Sequence, residues 1–120
     1  MDGIHSKTIS DFLNYCREMV EQKHISEETV KDCEAKQMDL LHKLELETLS
    51  YHEQARVAKE IKEVREERRK AKDTIYILNN LTAFLQDNQG YIKAMERLLG
   101  QLRKGEYNLE CRQYSPRMIE

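Results

Sequence analysis

The stretch from Glu27 to Asn88 contains neither glycine nor proline. Because these two residues are the strongest helix breakers, their absence predicts one long helix over residues 27–88. A helix of that length would extend about 90 Å, at about 1.5 Å per residue. The chain has only four glycines and one proline in all, whereas strand-rich folds need many tight turns. The predicted fold class is therefore all-α.

Apolar residues in the second half of this stretch follow a heptad pattern. Alternating steps of four and three residues connect Val57, Ile61, Val64, Arg68, Ala71, Ile75, Leu78, Thr82 and Leu85. Such spacing is typical of a coiled-coil seam. The apolar positions before it are out of phase, so a bend, overwinding or a change of helical partner is predicted near residues 55–58.

Charge is distributed unevenly along the seam. Residues 62–73 include ten charged residues in twelve, and the next twelve, residues 74–85, are apolar nearly all round. A helix that is apolar on several faces must be covered on several faces, so residues 74–85 are predicted to be the centre of the core or of an interface. The charged residues are predicted to form a solvated arm, supported by the pairs Lys59–Glu63, Lys62–Glu66 and Glu66–Lys70.

Shorter elements are predicted on both sides of the long helix. A first helix over residues 8–24 begins at Thr8, and Ser26 is placed to cap the long helix. Gly90 ends the long helix, a further helix covers residues 90–104, and residues 106–120 form an extended tail or one short strand. The expected architecture is a single domain, residues 1–120, folded as a helical hairpin or three-helix bundle around one long coiled-coil-like helix.

Composition argues against several classes of function. The net charge of −2 provides no global attraction to nucleic acid or to an anionic membrane. Three widely spaced cysteines suit reduced thiols in a cytoplasm, and the first residues lack the layout of a signal peptide. No histidine or cysteine pattern predicts a metal site, and no phosphate loop or nucleophile motif is present. We therefore expect a cytoplasmic protein with no catalytic residues, metal or cofactor.

The basic cluster Arg65, Arg68, Arg69, Lys70 and Lys72 leaves two interpretations open. Acidic residues interrupt it in sequence, which favours a solvated arm over a patch that contacts phosphates. The C-terminal tail combines tyrosine, arginine and methionine, residue types that are enriched at binding hot spots. The predicted partner-binding residues are Arg65, Arg68, Arg69, Tyr76, Tyr91, Arg112, Tyr114 and Met118.

The short, helical, charge-rich chain with the tail RKGEYNLECRQYSPRMIE resembles small phage and prophage proteins of Gram-positive bacteria. Among these it is similar in style to phage inhibitors of bacterial defence proteins, including inhibitors of a sirtuin-type NADase. This resemblance implies stoichiometric blocking of a host protein. The expected function is thus a protein–protein interaction module, in the form of an inhibitor in the host cytoplasm. The alternatives are a homo-oligomeric coiled coil and a nucleic-acid-binding regulator that uses residues 65–72.

Overall fold

The computed structural model describes residues 3–112, which form three helices. Helix α1 spans Ile4–Leu46, helix α2 spans Tyr51–Asp87 and helix α3 spans Gln89–Glu110. The structure is 93% helical, and these residues include no strand. The all-α fold predicted from the sequence is therefore confirmed.

The predicted break between residues 24 and 27 is wrong, because α1 continues through it. Ser26 lies inside α1 and is only 5% exposed, so its hydroxyl does not cap a helix end. Its neighbour Thr29 donates a hydrogen bond through Oγ1 to the Ile25 carbonyl, 3.0 Å away, as a hydroxyl inside a helix can. The weak helix propensity of these residues is outweighed by the burial of Ser26 and Cys33 on one face.

The single long helix predicted over residues 27–88 is also wrong, since the chain breaks at residues 47–50. Ser50 caps α2: its Oγ accepts a hydrogen bond from the Glu53 amide at 3.2 Å, and its carbonyl accepts one from the Gln54 amide at 2.9 Å. Ser50 and Glu53 have the spacing of a capping box, which is the sequence signal for this helix start. Helix α2 runs through residues 55–58, where a bend, overwinding or a change of partner was predicted, so the chain is not interrupted there.

Both ends of the helical region extend further than predicted. Helix α1 begins at Ile4, and Thr8, the predicted cap, donates its hydroxyl to the Ile4 carbonyl at 2.8 Å from inside the helix. Helix α3 continues through Gly105 to Glu110, so residues 106–110 are neither an extended tail nor a strand. The chain breaks before α3 at Asn88, within the predicted region, but Gly90 lies inside α3 and does not end the preceding helix. The Asn88 carbonyl accepts hydrogen bonds from the Tyr91 and Ile92 amides in the first turn of α3.

The described residues fall into two compact units. The first, Glu18–Phe84, is a hairpin of α1 and α2. Lys23 Nζ lies 3.3 Å from Thr82 Oγ1, and Glu34 Oε1 lies 3.2 Å from Arg68 Nε, so residue numbers rise along one helix as they fall along the other. The two helices are therefore antiparallel.

The heptad seam forms the core of this hairpin unit. Every seventh residue of α2 is buried, and the alternate seam positions, such as Ile61 and Ile75, are half-buried. The buried residues of the unit are Ser26, Cys33, Val57, Val64, Ala71 and Leu78. The predicted seam is thus used inside the chain, because this burial arises without any partner molecule.

The second unit combines Met1–Arg17 with Leu85–Glu120, of which residues 3–17 and 85–112 are described. Arg103 Nη2 lies 3.3 Å from Ser10 Oγ and Arg17 Nη2 lies 3.4 Å from Glu96 Oε1, so α3 is antiparallel to the first part of α1. The buried residues of this unit are Ser6, Leu13 and Cys16. Helix α3 has no fully buried residue and packs through the half-buried Ile92, Met95, Leu99 and Leu102.

Candidate interaction surface

Two of the predicted partner-binding residues line one groove of the hairpin unit. Arg65 and Arg68 lie there with Glu34, Gln37 and Met38. Arg68 is paired inside the chain, because its Nη2 and Nε both lie 3.2 Å from Glu34 Oε1. Arg65 is exposed and has no such partner among the described residues. The groove therefore presents one neutralised and one available guanidinium group, with an exposed methionine beside them.

Four of the exposed cations of α2 form a stripe. Lys62, Arg65, Arg69 and Lys72 are separated by steps of three, four and three residues, and all four side chains are exposed. Such steps place residues on one face of a helix. Among residues 3–112 no ion pair involves these four side chains, and the pair predicted between Lys62 and Glu66 is not formed. We call these four residues the basic stripe.

Three acidic residues of α2 lie on another side of the helix from the basic stripe. Glu60, Glu63 and Glu67 line a separate groove with Lys36 and Asp39 of α1. Each residue advances about 100° around a helix, so acidic and basic residues that are mixed in sequence can lie on different faces of the helix. Of the four acidic residues expected to interrupt the positive surface, Glu63 and Glu67 lie off the stripe. Glu66 and Asp73 are exposed and lie three or four residues from Lys62 or Arg69, so they lie at the edge of the stripe.

The remaining predicted residues are distributed over both units. Arg69 and Tyr76 are exposed on α2, with Tyr76 79% exposed. Tyr91 and Arg112 are exposed in the unit that contains α3. Tyr114 and Met118 lie outside the described residues. The structure thus places Arg65, Arg68, Arg69 and Tyr76 in the hairpin unit, and does not unite the whole predicted set.

Exposed apolar residues make up a larger feature than the sequence suggested. Seven hydrophobic residues of the described chain are buried, whereas seventeen large ones are exposed. Within the hairpin unit the exposed ones are Val20, Ile25, Met38, Leu41, Leu44, Leu46, Tyr51, Tyr76, Ile77 and Phe84. Segment 74–85 is divided: Leu78 is buried in the seam, while Ile77 is 70% exposed. The all-round apolar character of this segment was therefore the sequence signal for an exposed surface as well as for a core.

A partly buried polar cluster connects the two helices of the unit that contains α3. The Glu106 carboxylate accepts hydrogen bonds from the Gly3 amide at 2.6 Å and the Ser6 amide at 3.2 Å. Ser6 Oγ donates to Glu106 Oε2 at 2.7 Å, and the Ser6 side chain is fully buried. The Ser6 hydroxyl and these amides lower the pKa of Glu106, with a smaller contribution from His5. The carboxylate is therefore ionised near neutral pH, which suits a helix cap and not a general acid.

The cysteines offer no reactive centre inside the helix pairs. Cys16 and Cys33 are buried, and burial raises the pKa of both thiols. Cys111 is exposed at the end of α3. No group of three or more metal-ligating side chains occurs within residues 3–112. In the same part of the chain, no helix is both long and apolar enough to span a membrane.

No family model, curated protein or solved structure matches the chain.

Proposed function

We propose that the protein is a protein-binding module and that the hairpin unit Glu18–Phe84 presents its main binding surface. The observation that carries this proposal is the excess of exposed large hydrophobic residues over buried ones, seventeen against seven in the described chain. Single exposed apolar residues are normal on protein surfaces. Here, however, two adjacent residues of α2 are highly exposed: Tyr76 is 79% exposed and Ile77 is 70% exposed. A partner that covers them removes apolar area from water, which is favourable.

Charged and apolar residues contribute differently to binding in such a module. Tyrosine and arginine are enriched at binding hot spots, and Tyr76 and Arg65 are both exposed on α2. Apolar contacts supply most of the affinity, while the basic stripe orients the partner and raises the encounter rate. In its most specific form, this function is that of a phage-encoded inhibitor that binds a host defence protein stoichiometrically in the host cytoplasm. That form is supported by the resemblance in size and style.

The experiment uses affinity purification with the tagged full chain from a bacterial lysate, followed by mass spectrometry and titration of the recovered protein. The variant Tyr76→Asp/Ile77→Asp is expected to lose the partner, because two charges are placed on the apolar surface. The matched control is Ala55→Asp/Ala58→Asp, which adds the same charge at exposed positions near the other end of α2. Equal recovery with both variants, or no saturable partner, contradicts the proposal.

Self-association is the second candidate, and the same exposed apolar residues favour it. A second copy would not use the α2 heptad seam, since Val57, Val64, Ala71 and Leu78 are already buried within the chain. It would cover residues such as Met38 and Leu41, which are 53% and 41% exposed. Sedimentation equilibrium separates the candidates: a monomer at tens of micromolar removes self-association and leaves a different protein as the partner.

A further inference from the structure

We infer that the basic stripe, Lys62, Arg65, Arg69 and Lys72, binds the acidic face of an amphipathic helix on the partner protein. This inference rests on the proposed protein-binding function and specifies the partner's chemistry. The four side chains share one face of α2 and are all exposed. Glu66 and Asp73 lie at the edge of the stripe, but no ion pair within the described chain joins a carboxylate to any of its four cations. They are therefore available to a partner of opposite charge.

The spacing of the stripe matches a helix better than an irregular chain. Steps of three, four and three residues carry the stripe over ten residues, about 15 Å at about 1.5 Å per residue. Carboxylates at the same steps on a partner helix repeat at the same axial distances. A helix packed alongside α2 would therefore bring each carboxylate close to one cation, as flanking charges do in paired helices.

Neighbouring side chains favour a protein over a nucleic acid. Tyr76 lies four residues beyond Lys72, on the same face and 79% exposed, and Met38 shares a groove with Arg65. An amphipathic helix can cover such apolar groups with its own, whereas a phosphate backbone cannot.

The direct test is the binding of a synthetic probe to the full chain. The probe is a labelled, stapled helical peptide of about 20 residues, with glutamates at steps of three and four along one face and leucines beside them. A second peptide has the same composition but glutamates spread around the helix, and a third probe is single-stranded oligothymidine. Fluorescence anisotropy is measured at about 50 mM and about 300 mM salt, since exposed ion pairs weaken as salt rises.

We expect the one-faced peptide to bind at least about tenfold more tightly than its scrambled isomer at low salt. Arg65→Glu/Arg69→Glu should weaken that binding at least about tenfold. Lys59→Glu/Lys70→Glu makes the same charge change at exposed positions of α2 that lie off the stripe, and it should have little effect. Circular dichroism identifies variants that remain folded, and Lys62→Gln/Lys72→Gln offers a milder second variant.

Three results overturn the inference. Equal affinity for the two peptides would mean that net charge alone is recognised, and tighter binding of oligothymidine would make the stripe a nucleic-acid site. Equal loss in both double variants would remove the stripe as the locus. The proposed function fails separately, because capture of the partner in the lysate experiment depends on Tyr76 and Ile77. If Tyr76→Asp/Ile77→Asp loses the partner but Arg65→Glu/Arg69→Glu still captures it, the inference about the stripe fails and the proposed function stands.

Discussion

Glu106, near the end of α3, holds its Oε2 atom 2.7 Å from the hydroxyl oxygen of Ser6, in the first turn of α1. The first amides of a helix have no partner within the helix, and a carboxylate can satisfy them. Glu106 accepts from the Gly3 and Ser6 amides, which are about one helical turn apart. A residue distant in sequence thereby performs the work that a capping box performs locally.

The stability of the unit that contains α3 should fall with acidification because of this cap. The pKa of Glu106 is lowered from its ordinary value of 4.5, so its stabilisation is complete above that value. The stabilisation is lost as pH falls below 4.5 through the lowered pKa of the folded state, where the carboxylate takes up a proton. Urea unfolding of wild type and Glu106→Gln should differ at pH 7 and converge in acid. A difference that stays constant over this pH range contradicts the assignment.

Ser6→Ala tests the same cluster from the α1 side. The fully buried hydroxyl donates to a carboxylate, and its loss should lower the free energy of unfolding by about 1–3 kcal/mol. Ser10→Ala is the matched control, because Ser10 Oγ accepts a hydrogen bond from the exposed side chain of Arg103 at 3.3 Å. We expect the control to stay within about 0.5 kcal/mol of wild type in urea unfolding. Equal effects would show that the buried cluster contributes nothing special.

Alanine at different glycines should change stability in opposite directions. A Cβ on Gly3 would lie 2.5 Å from Glu106 Oε2, so Gly3→Ala should displace the carboxylate and destabilise the unit. A Cβ on Gly100, within α3, would meet nothing within 4 Å, and Gly100→Ala should stabilise by about 0.5–1 kcal/mol. In a double-mutant cycle the Gly3→Ala penalty should shrink when Glu106 is already glutamine. An additive cycle would refute this steric account.

Adjacent residues of α2 should separate folding from binding. Leu78 is 7% exposed in the seam, so Leu78→Ala should lower the free energy of unfolding by about 2–3 kcal/mol. Ile77 is 70% exposed, so Ile77→Ala should lower the free energy of unfolding by less than about 1 kcal/mol. The same change should weaken capture of the partner. Chemical denaturation and the affinity experiment measure the two effects. A large loss of stability from Ile77→Ala would place that side chain in the core and contradict its exposure.

Thiol reactivity should divide the three cysteines. Burial raises the pKa of Cys16 and Cys33, which leaves less thiolate at pH 8, and both are also shielded, whereas Cys111 is exposed. A thiol reagent should therefore label one cysteine quickly and the others only on unfolding. Cys111→Ser should remove the fast phase, and Cys16→Ser should leave it unchanged. A fast phase that survives Cys111→Ser would contradict the burial of the other two.

The sequence by itself determined the helical class and the face of α2 that is buried. Helix formers without glycine or proline favour helix locally, and the apolar heptad from Val57 to Leu85 fixes one face through its spacing alone. The same regularity hid the break at residues 47–50, because no glycine or proline marks it. The capping pattern of Ser50 and Glu53 is the sequence signal for the start of α2, but both residue types also occur inside helices.

Only the tertiary structure shows which residues each helix face packs against. Ser26 has the character of a cap in sequence, yet packing buries it in the middle of α1. Nothing local in sequence connects Glu106 with Ser6, because such contacts depend on how the helices pair. The candidate surface has the same origin: helical geometry separates Arg65 from Glu63, and a two-helix hairpin has too few faces to cover Ile77. Local propensity sets what a segment becomes, whereas the energy of burial depends on neighbours that only the folded chain provides.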